Sequence, residues 1–579
     1  MTALSVWAPR AEGVELVCAE GRLPMTPGDR GWFRVEAPVR AGEDYAFSLD
    51  GGDPLPDPRG YWLPEGVDGP TRLLQHKDFT WSDAGWRGVS LPGAVLYELH
   101  IGTFTAEGTF DAAIAHLDHL VELGIDAVEL MPCNAFPGRW GWGYDGVSWF
   151  AVHEPYGGPL GLKRFVDACH ARGLGVVMDV VYNHLGPAGN HLPRFGPYLT
   201  EEHATPWGAA VNLDRPGSDE VRRHILDSVQ MWLRDYHCDG LRLDAVHALI
   251  DERALHLLEE MRGEVTALGA ELGKPLFLIA ESDRNDPRLV SSPEAGGLGL
   301  DAQWSDDLHH ALHALLTGER SGYYGDFGSL PTLAKAMTGA FVHDGSWSSF
   351  RGHSHGRPVP PGLPGSRFVV CLQDHDQIGN RAVGDRISHS LSDGALKVGA
   401  ALLLASPFTP MLFMGEEWGS RRPWQYFSDH AGDLGEAIRR GRRAEFAAHG
   451  WDAEEIPDPQ SEETVARSSL DWAEVQEPRC QDLLAWYQSL LKLRRSQPDL
   501  TDGRRDRVEI SYDEDASWCV LRRGSVAVVA NLAPDRQIVP VPGAPVRVLL
   551  ASTPGFVFSE GKVETDGESA VVVELTATE

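Results

Sequence analysis

Charged side chains interrupt apolar segments at four places along this chain of 579 residues, and residues 238–249 show the pattern most clearly. In "CDGLRLDAVHAL", Arg242 and Asp244 lie two positions apart in a strand-like run, so their side chains point to the same face. Burial of unpaired ions costs several kcal/mol for each, and pairing offsets that cost. We therefore expect Arg242 and Asp244 to contact each other on a polar surface.

The other interrupted segments also end in an acid or a histidine. "VVMDVVYNH" ends at His184, "LFLIAES" carries Glu281, and "FVVCLQDHD" carries His375 and Asp376. Glycoside cleavage needs one protonated carboxyl group to assist the leaving oxygen and one ionised group to attack the anomeric carbon or to activate water. An adjacent arginine keeps an aspartate ionised, whereas partial burial suits Glu281 to the acid role. The pattern therefore favours Asp244 as the ionised group and Glu281 as the acid.

Two other interpretations of these residues have to be weighed. A lone aspartate after a strand is more often the N-cap of the next helix than a catalyst, and Asp179 fits that structural role. A metal site would need ligands at compact spacing, which His184, His247 and His375 lack. We therefore predict no metal and no cofactor.

Histidines and aromatic residues near the acids fit a sugar ligand. Neutral imidazoles, including His247, can hydrogen-bond hydroxyl groups, and aromatic faces can stack on sugar rings. The segment "GRWGWGYDG" supplies Tyr144, and Trp207 lies in a later loop. Each aromatic residue alone more often packs in a core, so the argument depends on their occurring together with the acids.

The elements that position these residues alternate between strands and helices. From residue 95 onward, strand-like runs near 96, 126, 176, 241, 278, 300, 369 and 411 are separated by helical periodicity. This alternation predicts a closed (β/α)₈ barrel, in which the strand ends converge at one mouth. An open doubly wound sheet is the alternative, but no Gly-rich phosphate loop follows any strand.

Two β-rich regions flank the predicted barrel. We expect an N-terminal, carbohydrate-binding-like β-sandwich at 1–90, the barrel at 91–495 and a C-terminal β-sandwich at 496–579. Three long insertions should form walls of a cleft on the carboxyl side of the barrel. They span about 185–217, 340–366 and 419–475.

Composition excludes several classes of partner. The chain has 51 basic and 84 acidic residues, a net charge of −33, which argues against nucleic acid and anionic membranes. Its seven cysteines show no CxxC pair, and the start "MTALSVWAPR" has no signal-peptide pattern. We expect a cytoplasmic protein with reduced thiols, and no pattern assigns an oligomeric state.

Four segments in order resemble the α-amylase superfamily of barrel glycosidases, glycoside hydrolase family 13. They are "DVVYNH" (179–184), "GLRLDAVH" (240–247), "AES" ending at 282 and "LQDHDQIGN" (372–380). The resemblance implies that Asp244 is the nucleophile, Glu281 the general acid and base, and Asp376 a carboxylate that holds sugar hydroxyls. It also implies retention of anomeric configuration through a covalent glycosyl-enzyme.

The same resemblance implies roles for neighbouring residues. Arg242 orients the nucleophile, His184 and His375 bind the sugar before the scissile bond, and Tyr144 stacks on that ring. Gln377 and Arg381 are candidate polar contacts on the leaving-group side and fit structural roles equally well. One departure is Asp374, where many members have asparagine, and it changes the local charge.

A narrower resemblance points to the trehalose-releasing members of the superfamily. The segments at 304–324, 426–430 and 456–472 carry it, and "VWAPRAEGVELV" resembles the accessory sandwich of such enzymes. It implies hydrolysis of malto-oligosyltrehalose into trehalose and a malto-oligosaccharide. The alternatives are a glycogen branching enzyme, a debranching enzyme, which fits these segments less well, and a non-catalytic polysaccharide-binding protein on the same scaffold.

Overall fold

Eight parallel strands close into a barrel at the centre of the computed structural model, between two groups of antiparallel sheets. The structure describes residues 2–447, 456–543, 545–559 and 561–576. Fold class is therefore confirmed, while the domain limits at 90 and 495 stay predictions. Residues 448–455 of the predicted insertion at 419–475, and residues 1, 544, 560 and 577–579 of the flanking regions, lie outside the described residues.

The N-terminal strands form two small sheets with apolar residues between them. Alternation in "VELVC" buries Val14 and Leu16, as expected for a strand with one core face. The sheet orders are β1-β5-β4 and β3-β2-β6-β7. The strands are β1 (Thr2–Trp7), β2 (Val14–Cys18), β3 (Gly21–Pro24), β4 (Thr26–Pro27), β5 (Trp32–Ala37), β6 (Asp44–Leu49) and β7 (Thr71–Arg72).

The barrel strands alternate with helices in the predicted order. The closed order is β8-β9-β10-β13-β14-β15-β18-β19, and the segment predicted near 300 contributes the short sixth barrel strand. The strands of this region are β8 (Leu96–Leu99), β9 (Ala127–Leu130), β10 (Gly175–Val180), β11 (Leu199–Thr205), β12 (Gly208–Val211), β13 (Gly240–Leu243), β14 (Phe277–Ala280), β15 (Ala302–Trp304), β16 (Trp347–Ser348), β17 (His353–Ser354), β18 (Phe368–Cys371) and β19 (Thr409–Phe413).

The inside of the barrel changes from apolar to polar along the strands. Because side chains on one face recur every two residues, Leu96 is followed on the same face by Glu98, and Val177 by Asp179. The lower layer is a separate apolar cluster that includes Leu96, Ala127, Val177, Ile279, Ala302, Val369 and Met411. The ionisable groups therefore collect near the carboxyl ends of the strands.

The helices cover the barrel, and several of them are followed by a glycine in the left-handed conformation. Gly124 takes a φ of +104° after α3, the left-handed conformation that favours glycine. Ser218 is the first residue of α6, and Gly217 with a φ of +88° precedes it. The helices are α1 (Ile101–Phe104), α2 (Phe110–Ile114), α3 (Leu117–Leu123), α4 (Gly158–Ala171), α5 (Leu192–Phe195), α6 (Ser218–Gln230), α7 (Leu257–Leu272), α8 (Asp306–Thr317), α9 (Leu330–Gly339), α10 (His375–Gly379), α11 (Asp393–Leu404), α12 (Gly432–Ala447), α13 (Glu462–Ser468), α14 (Pro478–Ser496) and α15 (Pro498–Thr501).

The long insertions carry secondary structure of their own. The first contains α5 and the β11–β12 hairpin, the second the β16–β17 hairpin, and the third α12 and α13. The third also reaches the barrel mouth, because Trp142 donates from Nε1 to the backbone oxygen of Gln425 at 2.9 Å. These hairpins and helices supply side chains to the carboxyl face of the barrel.

The C-terminal strands pack around a second apolar core. Val520, Val529 and Val571 are among its fully buried residues. The sheet orders are β20-β21-β22-β27-β24 and β23-β26-β25. The strands are β20 (Val508–Asp513), β21 (Trp518–Arg523), β22 (Val526–Asn531), β23 (Gln537–Pro540), β24 (Pro545–Ala551), β25 (Phe556–Ser559), β26 (Lys562–Thr565) and β27 (Ser569–Leu575). Among the described residues, no helix has both the length and the apolar character that a membrane crossing requires.

Candidate active site

Asp244 follows β13 directly and is held by two donors from different strands. Arg242 donates from Nη1 to Asp244 Oδ1 at 2.7 Å, and Asn183 donates from Nδ2 to Oδ2 at 2.7 Å. The expected contact between Arg242 and Asp244 is therefore present. The next residue, Ala245, has a φ of +39°, a strained conformation for a side chain with Cβ that turns the backbone toward the fifth barrel strand.

Arg242 is the centre of the charged layer. Its side chain is fully buried, lies over the ring of Trp304 with 4.4 Å from Cζ to the centroid, and has Nη1 within 3.0 Å of Asp179 Oδ2. Asp179 is therefore part of this ion cluster and is not the helix cap that the sequence suggested. Burial raises the pKa of Asp179 to about 7, against the opposing effect of Arg242.

Glu281 lies on the opposite side of the same guanidinium. Its Oε2 is 3.8 Å from Arg242 Nη2 and accepts a hydrogen bond from the backbone amide of Ala245 at 2.6 Å. Burial raises the pKa of Glu281 to about 8, and the negative charges of Asp244 and Asp376 act in the same direction. Glu281 is therefore mainly protonated at neutral pH, as a general acid has to be.

Asp376 is the most open of the three predicted catalytic carboxyl groups. Its side chain is 43% exposed, and Asn380 donates to its Oδ1 at 3.1 Å. The preceding Asp374 caps α10 by accepting from the amide of Gln377 at 2.8 Å. Burial raises the pKa of Asp374 to about 7, so this carboxyl group is partly neutral where many superfamily members have asparagine.

Tyr144 connects two of the polar clusters. It donates from its hydroxyl to Asp179 Oδ2 at 2.7 Å, and the same oxygen is 2.8 Å from His375 Nε2. The rings of Tyr144 and His375 are stacked with centroids 5.1 Å apart. The loop of "GRWGWGYDG" thus reaches the third and seventh barrel strands.

His184 and Trp207 form one wall beside this cluster. The His184 ring stacks on Trp207 with centroids 4.6 Å apart and an interplanar angle of 7°. Its Nε2 is 3.0 Å from the backbone oxygen of Tyr144, and its Nδ1 contacts the side-chain oxygen of Asn183. Trp207 keeps 48% of its surface exposed, so an aromatic face is available to a ligand.

The structure places the remaining predicted residues, His247, Gln377 and Arg381, in contact with groups other than the three carboxyl groups. His247 lines a cavity of about 260 Å³ together with His256 and Arg284. Gln377 accepts from the hydroxyl of Tyr323 at 3.1 Å, and Arg381 donates to Glu319 at 2.9 Å. The latter two residues therefore contact the segment at 304–324.

A second pocket adjoins the acids and was not predicted from the motifs. Asp306 lies at its edge, and burial together with the charges of Asp374 and Glu281 raises its pKa well above the ordinary range. The β16–β17 hairpin and the segment at 304–324 provide much of the wall. The lining includes Asp283, Asn285, Asp306, Tyr323, Phe350 and Arg351.

Sequence reasoning also missed Glu98 and Glu129 inside the barrel. Each side chain is 1% exposed, and the two residues are register partners on β8 and β9. Glu98 lies inside the apolar run "VLYELH" and Glu129 inside "AVELMP", just as Asp179 and Arg242 lie inside apolar runs. A consistent search for ions in the apolar runs would have found both.

One group of potential metal ligands occurs among the described residues, at His203, Asp214 and Glu252. The guanidinium of Arg215 is 3.0 Å from His203 Nε2, 3.0 Å from Glu252 Oε2 and 3.5 Å from Asp214 Oδ1. A cation of the protein, the Arg215 guanidinium, therefore already contacts all three side chains. The side-chain amide of Asn183 is not part of this group and donates to Asp244.

A closed barrel with an arginine between two carboxyl groups in unequal environments at its mouth defines a glycoside hydrolase of the α-amylase class. Residues 77–193 match the family model for the alpha amylase catalytic domain, and residues 503–573 match a domain of unknown function. A crystal structure described as a putative alpha amylase from Salmonella typhimurium is 37% identical, with a TM-score of 0.89 over 99% of this chain and 97% of that one.

Two curated relatives specify the family further. A malto-oligosyltrehalose trehalohydrolase from Arthrobacter ramosus is 54% identical over 98% of this chain and 99% of its own length. Another from Mycobacterium tuberculosis strain H37Rv is 50% identical over 94% of each chain. The chain therefore belongs to the malto-oligosyltrehalose trehalohydrolase family.

Proposed function

We propose that this chain hydrolyses the α-1,4-glucosidic bond next to the terminal α,α-1,1-linked trehalose unit of malto-oligosyltrehalose. The products are trehalose and a shorter malto-oligosaccharide, with retained configuration at the anomeric carbon. The names of full-length relatives at 50% identity or more support this substrate class.

The observation that carries the chemistry is the unequal environment of Asp244 and Glu281. Asp244 accepts hydrogen bonds from Arg242 and Asn183, while burial raises the pKa of Glu281 to about 8. In the first step Glu281 protonates the glycosidic oxygen, and Asp244 attacks the anomeric carbon to form a glycosyl ester. In the second step ionised Glu281 removes a proton from water, which attacks that carbon and releases Asp244.

The sugar that becomes attached to Asp244 would lie between the aromatic and imidazole groups described above. Trp207 offers an exposed ring face, and the half-exposed Asp376 can accept hydrogen bonds from sugar hydroxyls. We assign Tyr144, His184 and His375 to the same subsite because Tyr144 donates to Asp179 and both histidines contact Tyr144. Arg242 orients the nucleophile.

The leaving trehalose unit would lie over the mouth of the pocket around Asp306 and Phe350, because that pocket is too small to enclose a disaccharide. Phe350 is 56% exposed there, and Arg351 is held by Asp283 at 3.0 Å. An aromatic face combined with fixed polar groups suits a rigid disaccharide. Gln377 and Arg381 brace the wall of this pocket through their contacts with Tyr323 and Glu319.

His247 retains a more distant role in this proposal. It lies on the turn after β13 and lines a cavity that shares no lining residue with the pocket around Asp306 and Phe350. One imidazole nitrogen, Nδ1, is buried without a hydrogen-bond partner among the described residues. We propose that it contacts substrate only beyond the trehalose unit or acts on the shape of the loop.

The test compares two substrates with the purified full-length protein. Maltohexaose and maltopentaose carrying a reducing-end trehalose unit are supplied separately, and the products are resolved by chromatography. We expect rapid release of trehalose from the second and slow hydrolysis of the first. Chains with new α-1,6 links and no trehalose would instead identify a branching enzyme, and binding without turnover would identify a polysaccharide-binding protein.

A further inference from the structure

Glu98 lies beneath His375, and the proposed reaction assigns it no role. Glu98 Oε1 is 2.5 Å from His375 Nδ1, and Oε2 accepts from the backbone amide of His375 at 3.0 Å. The side chains of both residues are at most 2% exposed. One carboxylate therefore fixes both the ring and the main chain of His375 from the first barrel strand.

The directions of the hydrogen bonds determine the charge of the ring. When Asp179 is ionised, both of its oxygens accept from Arg242 Nη1, at 3.1 and 3.0 Å, and Oδ2 also accepts from the hydroxyl of Tyr144. A hydroxyl has one proton to donate, and the Tyr144 oxygen must therefore accept from His375 Nε2. Since Nδ1 donates to Glu98, both ring nitrogens carry protons and His375 is a cation.

The charges around His375 agree with this assignment. Burial lowers its pKa, but the carboxylates of Glu98 and Asp376 outweigh that effect and raise the pKa to about 10. Of the two carboxylates, Glu98 has the larger effect on the pKa of His375, and Glu98 is buried whereas Asp376 is not. The titratable and charged groups that face the ring are Glu98, His100, Glu129, Tyr144, Asp179, Arg242, Asp374 and Asp376.

We propose that Glu98 is a positioning residue that holds His375 as an imidazolium ion beneath the sugar-binding surface. This inference rests on the proposed function for its effect on turnover. The cationic ring lies 3.5 Å from Asp376 Oδ2 and donates to Tyr144, so Glu98 acts on substrate through His375 and these two groups. Loss of its charge should release the proton of His375 and loosen both contacts.

Glu129 is a matched control in the same layer. It is the register partner of Glu98 and is equally buried, but neither of its carboxyl oxygens has a hydrogen-bond partner among the described residues. Burial raises the pKa of Glu129 well above the ordinary range, and the adjacent Glu98 adds to the effect, so its carboxyl group is already neutral. Glu129→Gln therefore changes neither a charge nor a contact of His375.

The direct test is NMR titration of the histidine rings in the full-length protein, with the His375 signal assigned by its loss in His375→Asn. In the wild type and Glu129→Gln the ring should stay protonated from about pH 5 to 8, the range in which free histidines titrate. In Glu98→Gln its pKa should fall by about 2 units or more. An unchanged titration in Glu98→Gln would overturn the proposal, whatever the activity of the protein.

Turnover provides the second readout. We expect Glu98→Gln to lower kcat about 100-fold with little change in KM, because the ring is misplaced and the substrate contacts remain. Its rate should also decline at lower pH than the wild-type rate as His375 loses its proton. Equal losses in Glu98→Gln and Glu129→Gln would assign Glu98 a purely structural role.

Glu98→Asp keeps the test decisive if Glu98→Gln does not fold. This variant retains the negative charge on a shorter side chain, so His375 should stay protonated while kcat falls less than in Glu98→Gln. A His375 ring that titrates near neutral pH in Glu98→Asp would contradict a charge-based role. If the wild type releases no trehalose but the ring titrations follow expectation, the proposed function fails and the link between Glu98 and His375 stands.

Discussion

Asn183 donates from its side-chain amide to both the backbone oxygen and Oδ2 of Asp244, each at 2.7 Å. Its own side-chain oxygen contacts His184 Nδ1, so one amide connects the proposed nucleophile to a sugar-binding imidazole. The third and fourth barrel strands are thereby joined at the mouth of the barrel. The orientation of Asp244 depends on this neutral donor as well as on Arg242.

Asn183→Asp should therefore impair turnover strongly. The substitution removes the donor and places a second carboxylate against Asp244, where like charges repel in a partly buried site. We expect kcat to fall about 100-fold or more, as for other displacements of a reacting group. Initial rates with the trehalose-ended substrate measure this, and a kcat within twofold of the wild type would refute the orienting role.

Asp244→Asn should abolish nearly all turnover while the fold and substrate binding remain. The amide keeps the shape of the side chain but is not a nucleophile. Single-turnover assays together with calorimetric binding of the substrate separate the two effects. Appreciable residual turnover, once contaminating wild-type protein is excluded, would reject Asp244 as the nucleophile.

Glu281→Gln should discriminate between leaving groups. A substrate with a good leaving group needs little proton donation, so its glycosylation step should stay fast while natural substrates are hardly cleaved. The second step should remain slow because the general base is also lost, giving a burst of one leaving group per enzyme. Equal damage to good and poor leaving groups would count against the acid role.

The pH dependence of kcat/KM should have a basic limb set by Glu281. The acid must be protonated in the free enzyme, and burial raises its pKa to about 8, so activity should fall as the pH rises through that value. A pH profile with a trehalose-ended substrate measures the limb. In Glu281→Gln the limb should be absent, and a limb retained there would assign the titration to another group.

A buried ion cluster below the barrel should make stability depend on pH. Asp83 in the segment before β8 accepts from His170 and His237 at 2.8 Å each, and His170 also contacts Asp239 at 3.1 Å. Burial opposes ionisation of Asp83, but its histidine partners outweigh it and lower the pKa of Asp83. Burial lowers the pKa of His170, but Asp239 and Asp83 outweigh it and raise that pKa.

The two shifts define a window for the stabilisation. Asp83 stabilises the fold above its unfolded-state pKa, and this stabilisation is lost as the pH falls through its lower folded-state pKa. His170 stabilises the fold below its unfolded-state pKa, and this stabilisation is lost as the pH rises through its higher folded-state pKa. The cluster should therefore stabilise most between about pH 4 and 6.5. Asp83→Asn should destabilise by about 3 kcal/mol in this range, measured by thermal unfolding, since it breaks a buried pair. A loss independent of pH would show that packing alone is involved.

Residues that end an apolar strand were predictable because the carboxyl ends of barrel strands meet at one place. Asp244, Glu281 and Asp376 follow that rule and lie around the mouth of the barrel. Asp179 was assigned to a helix cap because its partner Arg242 is 63 positions away, and no local pattern shows such a contact. The ion pair between Asp179 and Arg242, which lie on neighbouring barrel strands, determines the role of Asp179.

Loop geometry limited the prediction for the other residues. His247 follows the left-handed Ala245 within a short 3₁₀ turn, and its ring lines a cavity with His256 and Arg284. The pocket around Asp306 and Phe350 joins segments more than 40 residues apart and carries no continuous motif. Its identification needs the fold of the β16–β17 hairpin.

The most direct test of the central claim traps the glycosyl-enzyme. Glu281→Gln is incubated with an α-maltosyl fluoride, whose fluoride leaves without protonation, and the digested protein is examined by mass spectrometry. We predict a maltosyl group on the peptide that contains Asp244, because the first step proceeds and the second lacks its base. Absence of any adduct, or an adduct on Asp376 instead, would contradict the assignment of Asp244 and Glu281 as nucleophile and acid.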